Sequence, residues 1–250
     1  MKIEIGRDKY EMAKSAADFA ADRIKAAIAA NGEARVIFAS AASQLEFVDE
    51  MLKRTDIAWD KVCGFHLDEY VGLPETHGAS FRRFIKERLL AKLPCAVKGF
   101  TFVGGDATDQ GAELARLEAA VREKPIDLAC IGIGENGHIA FNDPPADFDA
   151  KTAYCVVKLD HVCRMQQVGE GWYPNLDAVP THAYSMTVPQ IMSAKSIAVI
   201  VPDERKAQAV VGSVDGPLTN RMPASILRNH ADCTLFLDPP AASLLKNNER

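Results

Sequence analysis

The sequence predicts an α/β protein with a three-layer, mostly parallel, doubly wound sheet of the Rossmann-like kind and helices on both faces. The order of local patterns along the chain predicts it. Short apolar runs that look like buried strands alternate with longer helical patterns along most of the chain. This alternation is typical of a parallel sheet covered by helices. No internal repeat, low-complexity tract or linker interrupts the pattern, so we expect one domain over residues 1–250.

The individual elements follow from local patterns. Residues 8–30 are rich in Ala, contain no Gly or Pro and precede Asn31-Gly32, which predicts a long helix with a C-terminal stop. Phe81 and Phe84 lie three residues apart on one helix face, and Asp203 is placed to cap a later helix. The predicted helices are 8–30, 45–53, 79–92, 110–123, 203–211 and 223–228. The predicted strands are 35–39, 62–67, 100–103, 126–131, 196–201 and 233–237.

The composition excludes several classes of protein. The chain has 250 residues, a net charge of -5 at pH 7 and no block rich in Lys and Arg, so we expect no nucleic-acid partner. The first twelve residues lack the apolar core of a signal peptide, and no apolar run approaches the length of a membrane span. We therefore expect a cytoplasmic protein with no membrane partner.

The six cysteines are widely spaced and form no CxxC pair. Cys63 and Cys130 lie inside apolar runs that resemble strands. This pattern indicates small core residues in a reducing compartment rather than a disulfide framework or a zinc site.

The stretch GIGENGHIAFNDPP at 132–145 contains the glycine pattern GxGxxG directly after the apolar run IDLACI. A dinucleotide-binding loop needs its third Gly to open a helix, and an acidic residue after the next strand. Asp160 follows the run YCVVKL at about the expected distance. Pro144 and Pro145, however, leave only 138–143 for the helix, which is too short for a crossover of about ten residues or more. We expect no dinucleotide at this loop.

A glycine loop can instead aim polar side chains into a crevice, because Gly turns with positive φ and approaches a ligand closely. The loop after 131 is then expected to present Asn136, His138 and Asp143 to a ligand. The alternative is that His138 is a hydrogen-bonded structural residue.

Two acidic residues, Asp68 and Glu69, come directly after the predicted strand 62–67. Ligands of such sheets bind at the carboxyl ends of the strands. A carboxylate there could act as a base, since an ordinary Asp has a pKa near ~3.9 and is ionised at neutral pH. The alternative is that either residue caps the next segment, and for Glu69 the two interpretations are equally supported.

The segment 39–44 (ASAASQ) lies between a predicted strand and a predicted helix. Small residues and two hydroxyls at the start of a helix can bind an anion. A plain helix cap by Ser43 explains the pattern equally well. Lys206 follows the strand 196–201, and the residues alone give it no role beyond an exposed charge.

Taken together, these four segments resemble the glucosamine-6-phosphate deaminase (isomerase) family, a relative of 6-phosphogluconolactonase. The similarity runs from about 36 to 238. Its most specific parts are LDEYVGLPETHGASFRRF at 67–84 and GIGENGHIAFNDP at 132–144.

The resemblance implies an enzyme that opens the ring of an amino-sugar 6-phosphate, moves a proton between C2 and C1, and releases ammonia and fructose 6-phosphate. It needs no metal or organic cofactor. The resemblance makes Asp68 the base at C2 and His138 the acid and base of ring opening, with Asn136 and Asp143 orienting that histidine. The implied substrate-binding residues are Ser40, Ala41, Ser43, Gln44, Glu69, Gly137 and Lys206, with the phosphate against the loop 40–44 and Lys206.

The chain departs from the family pattern at several positions. Asp143 stands where the family usually has Glu, Asn136 where some members have Asp, and Ala41 where Gly is common. An Arg that helps to hold the phosphate in other members is missing, and Arg164 is the nearest candidate to replace it. The basic residues that bind an allosteric sugar phosphate in some members do not match 154–158, so we expect no such regulation.

Two rival functions remain. A 6-phosphogluconolactonase would share the fold and the phosphate site, but its acidic motif usually has Arg where this chain has Tyr70, which favours the deaminase. A sugar-phosphate-sensing domain of a transcription regulator would carry a helix-turn-helix, and we expect none in the roughly 35 residues before the first predicted strand. A homo-oligomer is compatible with the resemblance, because members range from monomers to hexamers.

Overall fold

The secondary structure of the protein was obtained from a computed structural model, which describes residues 1–246. The predicted domain end at 250 lies outside the described residues. The strands are β1 Lys2–Ile5, β2 Ala34–Phe38, β3 Val62–His66, β4 Asp68–Tyr70, β5 Gly99–Thr101, β6 Leu128–Ile131, β7 Tyr154–Lys158, β8 His182–Met186, β9 Ser196–Val201 and β10 Cys233–Leu237. The α-helices are α1 Lys9–Asn31, α2 Leu45–Leu52, α3 Phe81–Phe84, α4 Gln110–Arg122, α5 His161–Gly169, α6 Val188–Met192 and α7 Ala207–Val214.

The main sheet has seven strands, in the order β1-β10-β9-β6-β2-β3-β5, and every pairing in it is parallel. From β2 the chain continues outward through β3 and β5, whereas β6 returns to the other side of β2. The strand order therefore reverses between β2 and β6. Ligands of open α/β sheets bind at such a point, beyond the carboxyl ends of the strands. The predicted mostly parallel α/β fold is confirmed.

Helices cover both faces of this sheet. On one face, α1 packs through a row of buried small residues that includes Ala13, Ala17 and Ala20. Alanines allow the helix backbone to approach the sheet closely without leaving a void. Asp8 caps α1 by accepting from the N–H groups of Tyr10 and Glu11, and Gly32 ends it at φ 76°. On the other face, a second apolar cluster lies between the sheet, α4 and the α6 region.

A second, antiparallel sheet has the order β4-β8-β7. Strand β4 begins at Asp68, two residues after β3 ends at His66, and pairs Asp68 with Ser185 of β8. Strands β4 and β8 of this sheet, strand β1 and helices α5 and α6 are absent from the sequence prediction, whereas β7 coincides with the strand-like run YCVVKL. The polar sequence DEY of β4 reads locally as a loop, and only its pairing with β8 makes it a strand.

Several predicted boundaries also change. The helix predicted over 79–92 begins as α3, then widens into a π-helical turn at Ile85–Leu89 and tightens into a 3-10 turn at Leu90–Lys92. The segment Pro223–Asn229 is a 3-10 helix. Residues 132–153, all of them described, contain no helix, as the two prolines predict.

All six cysteines are unpaired. Cys130 is buried as predicted, whereas Cys63 is only partly buried and Cys95 is exposed, so the prediction of core positions is wrong for these two. Among residues 1–246, no helix combines the length and the apolar character needed to cross a membrane.

Candidate active site

A cleft opens where the strand order reverses, between the ends of β2 and β6. Its lining comes from the loops after β2, β3, β6 and β9, together with α5. Of the residues predicted from sequence, it contains Ser40, Ala41, Ser43, Gln44, Asp68, His138 and Lys206.

Two separate physical requirements explain why glycines occupy positions 134 and 137 in the loop after β6. A Cβ on Gly134 would lie 2.1–2.4 Å from three atoms of the His138 ring, so only Gly leaves room for the ring. Gly137 has φ +85°, a left-handed conformation that favours Gly, and a Cβ there would also meet Met222 at 2.2 Å. The pattern GxGxxG therefore serves to seat an imidazole and not a nucleotide.

Strand β8 anchors the following turn. The Asn142 side chain donates to the carbonyl groups of Ile139 and Met186, at 2.8 Å each, and the Ser185 hydroxyl accepts from the N–H of Phe141 at 3.0 Å. Ala140 adopts φ 51° within this turn. The small antiparallel sheet thus holds the loop that carries His138.

His138 is the centre of a polar network. Its Nδ1 atom lies 3.1 Å from Oδ1 of Asp143, and both side chains are about nine-tenths buried. That Oδ1 also accepts from the Asn136 amide at 3.0 Å, while Oδ2 accepts from the N–H of Asp160 at 3.0 Å. The Asn136 amide donates to the Asp160 carboxylate as well, at 3.0 Å. Asn136 and Asp143 therefore lie behind His138 instead of lining the cleft.

The contact between His138 and Asp143 is close but poorly aligned, because Nδ1 has no hydrogen-bond partner despite the 3.1 Å separation. Burial works to raise the pKa of Asp143. The neighbouring His138 lowers it, and together with the other hydrogen bonds this effect prevails, so the pKa lies below its ordinary value. Asp143 is thus kept as an anion next to the imidazole.

Cys163 lies against the same pair. One ligand-type atom each from His138, Asp143 and Cys163 falls within 4.8 Å of the others. Within the described residues, these three are the group able to hold a metal ion. Burial, with the carboxylates of Asp143 and Asp160, raises the pKa of the Cys163 thiol far above its ordinary value. The wide cysteine spacing gives no sign of this contact, which only the fold brings about.

Asp68 lies at the junction between the two sheets and is 7% exposed. Burial, and to a lesser extent the charge of Glu69, raises the pKa of Asp68 well above its ordinary value. The expectation of an ordinary, freely ionised Asp is therefore wrong. A carboxylate whose pKa is nearer to neutral is the stronger base when it is ionised.

Glu69, which the resemblance implies as a substrate-binding residue, is not part of the cleft lining. Its side chain is fully buried and accepts from the Ser80 hydroxyl at 2.8 Å and from the N–H groups of Tyr70 at 3.0 Å and Arg82 at 2.9 Å. The guanidinium of Arg82 lies 3.5 Å away. Side chains alternate faces along β4, so Asp68 faces the cleft and Glu69 faces the opposite side. There, the hydrogen bonds of Glu69 order the turn before α3. Gly137 shapes the loop and is likewise not part of the cleft lining.

The loop after β2 is held by a residue that sequence reasoning missed. His66 ends β3, accepts from the N–H of Val103 through Nδ1 at 3.4 Å, and so presents Nε2 to the Ser40 hydroxyl at 3.3 Å. Burial and the charge of Arg82 lower the pKa of His66 to about 3, so it is neutral. Ala41 has φ -150°, an extended conformation open to any residue, and the absence of Gly there therefore introduces no strain.

Lys206 enters the cleft from the turn after β9 and is 3% exposed. Its Nζ atom lies 4.0 Å from Glu135 and 3.9 Å from Glu170, which is too far for direct hydrogen bonds. Burial lowers the pKa of Lys206, and the two carboxylates oppose that effect. The ammonium group is thus a buried cation with free donors.

Helix α5 supplies side chains that the sequence did not indicate. Gln166 and Gln167 line the cleft, and Gln166 joins the Glu135 N–H to the Glu170 carboxylate at 3.1 and 2.7 Å. Arg164 does not replace the missing Arg, because its guanidinium donates to two carbonyl groups, those of Leu176 and Val179, at 2.7 and 2.9 Å. The stacked rings of Phe81 and Phe141, 5.8 Å apart, form the apolar wall.

A parallel, doubly wound sheet with a polar cleft at the point of strand reversal defines the class: an α/β protein that binds a small molecule at the carboxyl ends of its strands. A family model described as glucosamine-6-phosphate isomerases/6-phosphogluconolactonase matches residues 7–236. The chain therefore belongs to this family.

The relatives that match the chain span most of its length. A glucosamine-6-phosphate deaminase of Listeria monocytogenes serotype 4a (strain HCC23) is 39% identical over 215 residues, which cover 86% of this chain and 89% of the relative. A glucosamine-6-phosphate deaminase of Streptococcus pneumoniae (strain Hungary19A-6) is 37% identical over 217 residues, which cover 87% of this chain and 89% of the relative.

Solved structures agree with these relatives. A monomeric glucosamine-6-phosphate deaminase superposes with a TM-score of 0.89 at 29% identity, over 98% of this chain and all of that one. A 6-phosphogluconolactonase from Thermotoga maritima superposes with a TM-score of 0.77 at 15% identity, over 95% of this chain and 99% of that one. This similarity shows the shared fold alone.

Proposed function

We propose that this protein is an amino-sugar phosphate isomerase and deaminase that converts glucosamine 6-phosphate and water to fructose 6-phosphate and ammonia. One observation carries the proposal: a single cleft contains a buried carboxylate, Asp68, an imidazole backed by a carboxylate, His138, and a buried cation, Lys206. The curated deaminases at 37–39% identity support the same conclusion.

The phosphate group is proposed to bind at the end of the cleft formed by Ser40, Ser43, Gln44 and Lys206. The hydroxyls and the free N–H groups at the start of a helix suit an anion. The buried ammonium of Lys206 contributes a charge-assisted hydrogen bond. Binding the phosphate there holds the sugar carbons in place, so that binding energy is used for positioning.

Ring opening is assigned to His138. The hydroxyl proton on C1 must leave and the ring oxygen must gain a proton, and a neutral imidazole can accept and then return one. The nearby carboxylate of Asp143 stabilises the imidazolium that forms in between. Asn136 keeps Asp143 in place through its amide.

Proton transfer between the carbons is assigned to Asp68. In the open-chain sugar the carboxylate removes the proton from C2, while O1 gains a proton that the ammonium group on C2 gives up, and the result is an enolamine. The carboxylate then returns its proton to C1. The product is an imine at C2. Water adds to this imine, and the C–N bond breaks to release ammonia and the ketose, which balances the reaction.

The test is to give purified protein glucosamine 6-phosphate and to measure ammonia and fructose 6-phosphate in parallel. Equal amounts of both, abolished by Asp68→Asn, are expected. The matched control Asp106→Asn changes an exposed carboxylate paired with Arg82 outside the cleft and should stay active. No ammonia, with hydrolysis of 6-phosphogluconolactone instead, would establish the lactonase alternative. Tight substrate binding without either reaction would establish a sensor.

The chain is proposed to act as one domain over residues 1–250, because the main sheet and the small sheet both contribute to the cleft at Asp68 and His138. The roughly 35 residues before the first predicted strand form β1 and α1, which belong to the main sheet layers. We also propose a cytoplasmic location, in agreement with six unpaired cysteines, with neither nucleic acid nor membrane as a partner. A homo-oligomer stays compatible with the family, and one structural relative is monomeric.

A further inference from the structure

We propose that His138, Asp143 and Cys163 form an inhibitory binding site for one thiophilic divalent cation of the Zn²⁺ type. The site shares His138 and Asp143 with the proposed chemistry, which itself needs no metal. It would let such a cation switch off the cleft by capturing the imidazole on the side that faces Asp143.

The geometry of the three residues fits a small cation. Their ligand atoms lie within 4.8 Å of one another, and His138 Nδ1 is 3.1 Å from Asp143 Oδ1. Zn²⁺ bonds of about 2.0–2.3 Å in a tetrahedron hold ligand atoms roughly 3.3–3.8 Å apart. Side-chain shifts of about 1 Å or less would therefore complete the site.

An independent observation comes from the imidazole itself. The Nδ1 atom of His138 is buried and has no aligned hydrogen-bond partner. A buried nitrogen without a partner is costly, and a bound cation would satisfy it. Nδ1 faces the Asp143 carboxylate, so the unsatisfied atom lies on the side of that ligand.

The local charge also favours a cation. The carboxylates of Asp143, Asp160 and Asp68 all act on the Cys163 thiol. Asp160 additionally accepts from the Cys163 N–H at 2.6 Å, which fixes the start of α5 and the place of the thiol. A divalent cation displaces the thiol proton and binds the thiolate, so one proton is released for each metal bound. Thiolate, imidazole and carboxylate together are a zinc-type ligand set.

Three protein ligands leave the fourth tetrahedral position to water. With the metal on Nδ1, the His138 ring can no longer exchange protons through that atom or share charge with Asp143. This inhibition rests on the proposed function, whereas the binding itself does not.

The binding test uses Cd²⁺ as the probe, because a thiolate bound to cadmium gives a charge-transfer absorption band in the ultraviolet. We expect one equivalent of Cd²⁺ per chain to develop the band in the full-length protein. Cys163→Ser should abolish the band and weaken Zn²⁺ binding, measured against a chromophoric chelator, by ~100-fold or more, since loss of an outer-shell partner alone costs 10–100-fold. Cys155→Ser, which changes a half-buried cysteine outside the cluster, should keep both.

His138→Gln keeps the thiol and should also weaken Zn²⁺ binding. Weaker binding in both variants would show that misfolding of Cys163→Ser does not explain its loss of affinity. Unchanged Zn²⁺ affinity in Cys163→Ser, or a band that disappears in Cys155→Ser, would overturn the proposal. In the same samples, Zn²⁺ should suppress ammonia release in the parent protein and not in Cys163→Ser. If the band forms but no ammonia is ever released, the metal site stands and the proposed function fails.

Discussion

The Nδ1 atom of His138 lies 3.1 Å from Oδ1 of Asp143, and the carboxylate that makes this contact is itself held at both oxygens. The resemblance described in the sequence analysis leads us to expect a longer Glu at this position. The shorter Asp still reaches the imidazole, because the Asn136 amide and the backbone of Asp160 draw it into place. The Asp143 carboxylate is thereby fixed beside the imidazole without an aligned hydrogen bond to Nδ1.

Replacing Asp143 with Ala should lower the turnover of the cyclic substrate by about 10²-fold, because His138 loses the anion that stabilises its protonated form. Binding of the substrate should change much less. Steady-state kinetics of ammonia release separate the two effects. An equal loss of turnover and binding would assign Asp143 a purely structural role, and Asp143→Asn offers an isosteric comparison.

Replacing Asp68 with Asn should lower turnover by about 10²–10⁴-fold, since the base at C2 is lost. In the parent protein Asp68 must be ionised to act. Its raised pKa should therefore place the acid limb of the kcat/KM profile above the ~3.9 of an ordinary Asp. The measurement is the pH dependence of ammonia release. An acid limb at or below pH 4 would contradict this assignment.

The same Asp68→Asn change should stabilise the fold at neutral pH. The pKa of Asp68 is higher in the folded state than the ~3.9 of the unfolded chain. At pH values between these two pKa values, folding therefore takes up a proton. The free energy of unfolding falls as the pH rises through that range. Asn carries no charge to bury. The Tm of the variant should exceed that of the parent at pH 7, and this difference should shrink below pH 4. A variant with a lower Tm than the parent at pH 7 would refute the prediction.

Replacing Lys206 with Met should lower kcat/KM for the phosphorylated sugar by roughly 10–100-fold, the worth of a charged hydrogen bond of about 1.5–3 kcal/mol. Arg205→Met is the matched control, because Arg205 is half exposed and paired with Asp203 at 2.8 Å. The comparison uses initial rates at low substrate. Similar losses in both variants would point to the general charge of the turn and not to Lys206.

Replacing Glu69 with Gln should destabilise the protein by about 1–3 kcal/mol, because an amide cannot accept all the hydrogen bonds that the two oxygens receive. That loss corresponds to a Tm lower by roughly 2–4 °C per kcal/mol in a chain of this size. Glu75→Gln, an exposed carboxylate paired with Lys86, should leave the Tm almost unchanged. If Glu69→Gln instead raises KM at unaltered Tm, Glu69 belongs to the substrate site after all.

The carboxyl-end loops of the main sheet were predictable from the sequence, because a parallel sheet brings loops from distant parts of the chain to one edge. Ser40, Asp68 and His138 were found in this way, and they line one cleft. Glu69 lies outside this cleft, and the sequence could not show this, since the side of a strand to which each residue points depends on the pairing with β8, which no local pattern reveals.

Local patterns were sufficient for the buried parallel strands and for α1, because these elements carry their own apolar runs, cap and stop signal. The small sheet, the helix α5 and the contact of Cys163 with His138 depend on segments far apart in the chain. The sequences of these segments are polar or fit more than one secondary structure. Their conformation is stabilised only by partners that folding brings together. The raised pKa of Asp68 has the same origin, because burial is a property of the tertiary structure.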